Sequence, residues 1–297
     1  MKTGDAFGTV GSNPTPSAIL PAGCGFFVFE RRDKVELVLF LLLGVGVGVF
    51  GSLVGIGGGL FCVPIFIFAL SEGGFFPYFK TAAEITGTSL FIVFINAISG
   101  AFSYIRQKRV FFNAAVPFAI ATIPGAFLGS YIVDKFSFQM LNMYFGIFIG
   151  TMAVLIFFNA IKEKRKDILE LPPNFKYNKS IGVASSLGVG FLSSVFGVGG
   201  GIIHVPLMVY LLNFPVHIAT ATSTFILMIS SLGGVVSHFI LNHIVWIPAI
   251  VISLGAAIGA QLGAKLSKKT KSKTILTILA LTMLFVSVRL ILSGSAN

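Results

Sequence analysis

The chain has 297 residues, of which 55% are hydrophobic and 10% charged, with a formal net charge of +11 and a mean hydropathy of +0.95. A soluble domain carries about 25% charged residues, and so few ionisable groups cannot cover a water-soluble fold of this size. A soluble enzyme, a nucleic-acid binder and a disulfide-rich secreted domain are set aside on that ground.

The position of the charges sharpens this. No Asp, Glu, Lys or Arg stands between Lys179 and Lys265, and shorter charge-free stretches cover 37–71, 85–105, 110–133 and 136–161. A transmembrane helix needs about 20 apolar residues. The expected class is therefore all-α, a polytopic helical membrane protein in a lipid bilayer. The surplus of basic residues gathers at Arg106, Lys108 and Arg109, at 162–166 and at 265–273. In a membrane protein such clusters mark cytoplasmic loops, so no nucleic-acid partner is expected.

In chain order, residues 1–35 form a Gly/Pro/Ser-rich polar tail without the apolar core of a cleaved signal peptide. Cys24 and Cys62 lie far apart and have neither disulfide nor metal-ligand spacing. No metal or cofactor is expected. A long apolar run at 36–56 is followed by a short one at 57–71, then by three full-length runs at 81–105, 110–134 and 138–161. A polar linker, 162–177, contains Pro172 and Pro173. The order then repeats: 180–198, a short 199–213, and full-length runs at 216–241, 245–265 and 273–293.

The repetition extends to residues. Gly55-Ile56-Gly57-Gly58-Gly59 with Val63-Pro64 returns as Gly197-Val198-Gly199-Gly200-Gly201 with Val205-Pro206. Thr86, Thr88 and Ser89 return as Thr220, Thr222 and Ser223, and Gly125 and Gly129 as Gly259 and Gly263. The chain is thus a duplication, with a first transmembrane repeat over 36–161 and a second over 178–293. The first half has extra residues around 71–80. Each short run is too short to cross a ~30 Å hydrocarbon core and begins at a triple glycine, which breaks a helix. Each long–short pair is expected to enter the membrane, break and turn back.

A returning pair plus three crossings is an odd count, so the two repeats are expected to be inverted. That arrangement puts loops 106–109, 162–179 and 265–273 on the cytoplasmic side with 14 of the 21 Lys and Arg residues, and both termini outside.

Inverted repeats with interrupted helices are the build of secondary transporters, which bind substrate near the midplane. At a glycine break backbone N–H groups are free and the helix N-terminus carries partial positive charge. Two such ends can hold a small anion without a buried Lys or Arg. The candidate substrate-binding residues are Gly57, Gly58, Gly59, Gly199, Gly200 and Gly201, with the hydroxyls of Thr86, Thr88, Ser89, Thr220, Thr222 and Ser223 and the imidazole of His204. The bland reading is that the glycines allow close helix packing and the hydroxyls cap or pack. Glu84 and His204 are candidates for proton coupling; Glu84 equally suits an interfacial place near Lys80, and His204 a packing role. His217, His238 and His243 fall near helix ends and read as interfacial. Gly46, Gly48 and Gly51 have dinucleotide-fingerprint spacing, but in a charge-free membrane run that signal means helix packing. Gly125/Gly129 and Gly259/Gly263 are small-xxx-small faces.

These paired glycine–proline motifs with Thr-x-Thr-Ser resemble the sulfite exporter TauE/SafE family, also called toluene-sulfonate uptake permeases, over 36–293. The resemblance implies a bacterial inner-membrane permease for small sulfur-containing anions or organic sulfonates, such as sulfite, thiosulfate or sulfoacetate. The expected function is a secondary transporter of small anions, not an enzyme. A passive anion channel is the alternative, with an intramembrane serine hydrolase built on Ser89 or Ser223 behind it.

Overall fold

The computed structural model describes residues 31–69, 78–162 and 175–295. The tail expected over 1–35, the extra residues around 71–80 and the linker at 162–177 fall largely outside the described residues. The regular elements are helices: α1 (Arg31–Val54), α2 (Gly59–Ala69), α3 (Ala82–Arg106), α4 (Phe112–Ile132), α5 (Phe138–Lys162), α6 (Lys179–Phe196), α7 (Gly201–Pro206), α8 (Val216–Ile240), α9 (Trp246–Lys269) and α10 (Ser272–Ser295). A 3-10 turn, Val133–Lys135, follows α4, and a π-helical turn, Leu207–Leu211, continues α7. Among the described residues eight helices are long and apolar enough to cross a membrane. This is a multi-pass helical membrane protein.

Local chemistry explains the starts and stops. Thr81 and Glu84 form a reciprocal capping box at the head of α3, and the Asn178 side chain accepts from the Ile181 amide at the head of α6. The second short helix is shorter than the sequence suggested, and the first is described as far as Ala69. Their apolar parts, Gly59–Phe68 and Gly201–Leu211, span about 15–17 Å at 1.5 Å per residue, roughly half the hydrocarbon thickness. Each also contains a proline, Pro64 or Pro206, which removes one backbone donor.

Each long–short pair ends where it began. Tyr78, just after α2, lies ring-to-ring with Phe40 near the start of α1 at 5.8 Å. In the second half, Phe214 after α7 packs on Tyr177 before α6, at 5.3 Å.

The halves interlock. The first helix of each lies along the fourth of the other, α1 with α9 and α6 with α4. The glycine faces make this possible, because the helices meet backbone to backbone. A methyl on Gly259 or Gly263 would strike the Val45 or Val49 carbonyl, and one on Gly125 or Gly129 the Leu187 or Phe191 carbonyl. Without a hydrophobic drive between helices in lipid, such close approach is the main source of association. At the centre α3 and α8 run antiparallel, with Leu90 against Gly234 and Gly100 against Thr224. Helices α5 and α10 are antiparallel too: the Ser287 hydroxyl donates to the Gly146 carbonyl at 2.7 Å, and Gly150 also faces Ser287.

Loop contacts gather at one end of the bundle. Gln107 donates to the Ala264 carbonyl at 3.2 Å, and Tyr177 to the Asn113 carbonyl at 3.0 Å.

Candidate functional site

The two glycine breaks have the same backbone path. In the first, the amides of Gly55, Ile56 and Gly57 converge on the Gly51 carbonyl at 2.9–3.1 Å. In the second, Val198 bonds the Ser193 carbonyl at 3.2 Å. The φ angles of Gly55, Gly57 and Gly58 are +84°, +75° and +87°, and those of Gly197, Gly199 and Gly200 are +67°, +75° and +78°. Residues with a Cβ pay roughly 1–2 kcal/mol for that region, so glycine is required at the same places in both halves.

The breaks touch each other in the interior. A methyl on Gly59 would lie 2.5 Å from Val198 Cα, and one on Gly201 would lie 2.5 Å from the Gly55 carbonyl oxygen. Val93 of α3 and Leu227 of α8 flank the crossing, each facing both Gly57 and Gly199. Ser89 donates to the Gly197 carbonyl at 2.7 Å, and Ser223 to the Gly55 carbonyl at 3.0 Å. Each half therefore holds the other's break.

The remaining hydroxyls have separate tasks. Thr86 donates to the Ala83 carbonyl and Thr220 to the Val216 carbonyl, while their backbones form the floor beneath Gly197 and Gly55. Thr88 and Thr222 lie further along, accepting from the amides of Val245 and Phe111 at 2.9 and 3.1 Å. Those two residues head α9 and α4, which lack side-chain caps of their own. The structure thus brings the six glycines, Ser89, Ser223, Thr86 and Thr220 together and places Thr88 and Thr222 as caps.

His204 is fully buried beside Gly200, with Nε2 3.2 Å from the Ser186 hydroxyl. The Ser186 hydroxyl also lies 2.6 Å from the Gly182 carbonyl, and His204 Nδ1 faces Gly200. Glu84 lies elsewhere. Its carboxylate accepts from the amides of Lys80 and Thr81 at 2.7 and 3.4 Å, which accounts for it as a helix cap.

Sequence reasoning missed several polar groups. Asn96 donates to the Gly57 carbonyl at 2.8 Å and accepts from Ser52 at 2.9 Å, locking the first break. The repeat register puts Ser194 and Ser230 at the matching places in the second half, where both hydroxyls are buried without a partner. Replacing a long amide by a short hydroxyl leaves the second break less tied and its donors available. A lone Asn in a charge-free run, matched to Ser, was the available signal. Arg109, read as part of a basic cytoplasmic loop, is 3% exposed. It donates to the His217 carbonyl at 3.1 Å and lies over the Tyr104 ring at 5.1 Å. Burial lowers its pKa from the usual guanidinium value, with Tyr104 opposing that. His217 and His238, expected at the interface, are 2% and 0% exposed.

Two broken helices crossing inside an eight-span bundle define the class, a polytopic membrane transporter. The family description "Sulfite exporter TauE/SafE" matches residues 40–290, and the chain belongs to that family. It is 33% identical over 271 residues to the probable membrane transporter protein YunE of Bacillus subtilis, covering 88% of this chain and 99% of that one. It is 31% identical to a probable membrane transporter protein of Methanocaldococcus jannaschii, covering 72% of this chain and 76% of that one. A probable membrane transporter protein of Haemophilus influenzae is 23% identical over 68% of this chain and 72% of its own. No solved structure matches.

Proposed function

We propose that the chain is a secondary transporter of small anions, sulfur oxyanions or organic sulfonates such as sulfite, working by alternating access between two inverted repeats. The observation that carries this reading is the crossing of two glycine breaks, each clasped by a serine from the opposite half. The Gly59 and Leu60 amides of α2 and the Gly201 and Ile202 amides of α7 precede the first amides bonded back to Gly58 and Gly200, at the positive end of the helix dipole. Ser194 and Ser230 add two uncommitted hydroxyls. Among the described residues the only buried charged side chain is Arg109, which lies beyond the end of α3 and is engaged by the Gln107 and His217 oxygens. The site therefore offers neutral donors, which suit a small anion that must also be released. The family name supports the sulfur class.

Inversion is supported by the antiparallel α3/α8 and α5/α10 pairs and by the return of each long–short pair to its starting end. The Gln107–Ala264 and Tyr177–Asn113 contacts support placing 106–109, 162–179 and 265–273 together, on the cytoplasmic side of a bacterial cell membrane. In alternating access, Ser89 and Ser223 would exchange their carbonyl bonds for bonds to the anion as one half rocks against the other. Ser89 and Ser223 donate to carbonyls, and the serine bonded to a histidine is Ser186, which gives the hydrolase alternative no support.

The test is uptake of labelled sulfite, thiosulfate and a simple sulfonate into proteoliposomes. Flux above empty vesicles that disappears in correctly inserted Gly58→Leu and Gly200→Leu variants is expected. Flux of none of these anions, or undiminished flux in the variants, would overturn the reading.

A further inference from the structure

The repeat register that aligns Thr86 with Thr220 also aligns Tyr104 with His238 and Arg109 with His243. The two ends of the bundle therefore carry equivalent clusters with different chemistry. At one end the Tyr104 hydroxyl donates to the Ser52 carbonyl at 2.6 Å, tying α3 to the last turns of α1 just before its break. At the other end His238 occupies the place of Tyr104, and its Nε2 faces the backbone of Ser194, the counterpart of Ser52, without completing a hydrogen bond. His238 Nδ1 lies 3.0 Å from His243 Nδ1, and His243 Nε2 lies 2.9 Å from an Asp134 carboxylate oxygen. The chain of contacts runs from the surface inwards: Asp134 is 46% exposed, His243 12% and His238 0%.

Counting protons shows what this arrangement does. Three links, Asp134 to His243, His243 to His238 and His238 to Ser194, need three N–H donors. Two neutral imidazoles supply only two, one each. If His243 donates to Asp134 and His238 donates to His243, then His238 Nε2 is a bare lone pair opposite a carbonyl. A third proton, taken from water onto the pair, completes every link. His243 becomes an imidazolium, held by Asp134 and donating from Nδ1, while His238 stays neutral and donates from Nε2 to Ser194. The charge rests on the outer ring beside its counter-ion, so the buried ring carries none.

We propose that Asp134, His243 and His238 form a single-proton site that makes or breaks the clasp between α8 and the end of α6, next to the second glycine break. The opposite end has a permanent tyrosine clasp and a permanent arginine, so proton linkage belongs to one end only. As a coupling device this rests on the transporter reading; as a proton site it does not. The other charged groups on the elements packed around the pair are Lys135 beside Asp134, and Lys80 and Glu84 at the head of α3, Glu84 being held in its cap. Helix α4 has no charged residue, only Tyr131 in this last turn, and the charges of α6 and α9 lie at their far ends. The third link exists only when the proton is bound, so the clasp is present at low pH and lost as pH rises through the site's midpoint.

The test uses the full chain in nanodiscs with 15N-labelled imidazoles, the four histidines being assigned by single His→Gln replacements. The signals of His238 and His243 are expected to move together, with one midpoint, as imidazoles sharing one proton do. Asp134→Asn should lower the proton affinity by about tenfold or more. His238→Tyr, which copies Tyr104, should supply the clasp at every pH and so change the pH slope of thermal stability from that of the wild type. Separate midpoints for the two rings, or no titration, would overturn the proposal, as would a His238→Tyr protein that keeps the wild-type pH slope. Joint titration in a protein that moves no anion sinks the transporter reading alone; anion flux without joint titration sinks the proton site alone.

Discussion

Adding one methyl group at the crossing should separate a functional contact from ordinary helix packing. In Gly59→Ala the new Cβ would lie 2.5 Å from Val198 Cα and 2.8 Å from the Gly197 oxygen; in Gly201→Ala it would lie 2.5 Å from the Gly55 oxygen and 2.6 Å from Ile56 Cα. Every one of these atoms is backbone, so no side chain can rotate away and the two breaks must move apart. Overpacking of this kind costs about 1–3 kcal/mol. Gly46→Ala and Gly188→Ala are the controls, because nothing lies within 4 Å of a methyl at either. In those helix interiors alanine should gain about 0.5–1 kcal/mol. The difference between the pairs is therefore about 1.5–4 kcal/mol. At roughly 2–4 °C per kcal/mol, it should appear as an apparent Tm lower by about 3 °C or more, read by the loss of monodisperse protein on heating in detergent. Transport should fall in the crossing pair and persist in the controls. Equal melting of all four variants would refute the backbone contact between the breaks.

Two further outcomes follow from the hydrogen bonds. Ser89→Ala and Ser223→Ala each leave a buried carbonyl of the opposite break without its donor, at about 1–3 kcal/mol, so the two should lower the apparent Tm by similar amounts; a loss confined to one would contradict the shared role. Burial raises the pKa of Tyr177 above the usual 10, and its hydroxyl donates to the Asn113 carbonyl. Its contribution is complete below the unfolded pKa and is lost as pH climbs through the folded one, so Tyr177→Phe should flatten the decline in Tm above about pH 10.

The sequence made the architecture legible because its signals are local. Charge-free runs, triple glycines and the two Val-Pro pairs report helix length and helix breaks without reference to neighbours, and the described helices fall on runs read that way, α1 reaching back to Arg31 at the edge of the tail. The packing faces at Gly125/Gly129 and Gly259/Gly263 were legible for the same reason, although their partners, α6 and α1 of the opposite half, were not. The hydroxyls were found but their tasks were hidden. Whether Thr88 meets an anion or the Val245 amide depends on where α9 begins in space, 157 residues away in the chain.

Arg109, His238 and His243 show the limit most clearly. Each stands at the end of an apolar run, where a charged or titratable side chain normally reaches water. Burial there depends on a loop folding under a helix from the other half, and no local pattern records that. The duplication does record it, once it is extended past the glycine motifs to the ends of α3 and α8. Equivalent positions in a duplicated fold have equivalent surroundings, so a tyrosine matched by a histidine, and an arginine by another histidine, is a change of chemistry at constant geometry. Where the glycine motifs agree, the halves share a backbone task; where these pairs differ, the two ends of the bundle have been given different electrostatics. A transporter that must bind at one face and release at the other needs that kind of difference, and a pseudo-symmetric chain can acquire it only through such substitutions.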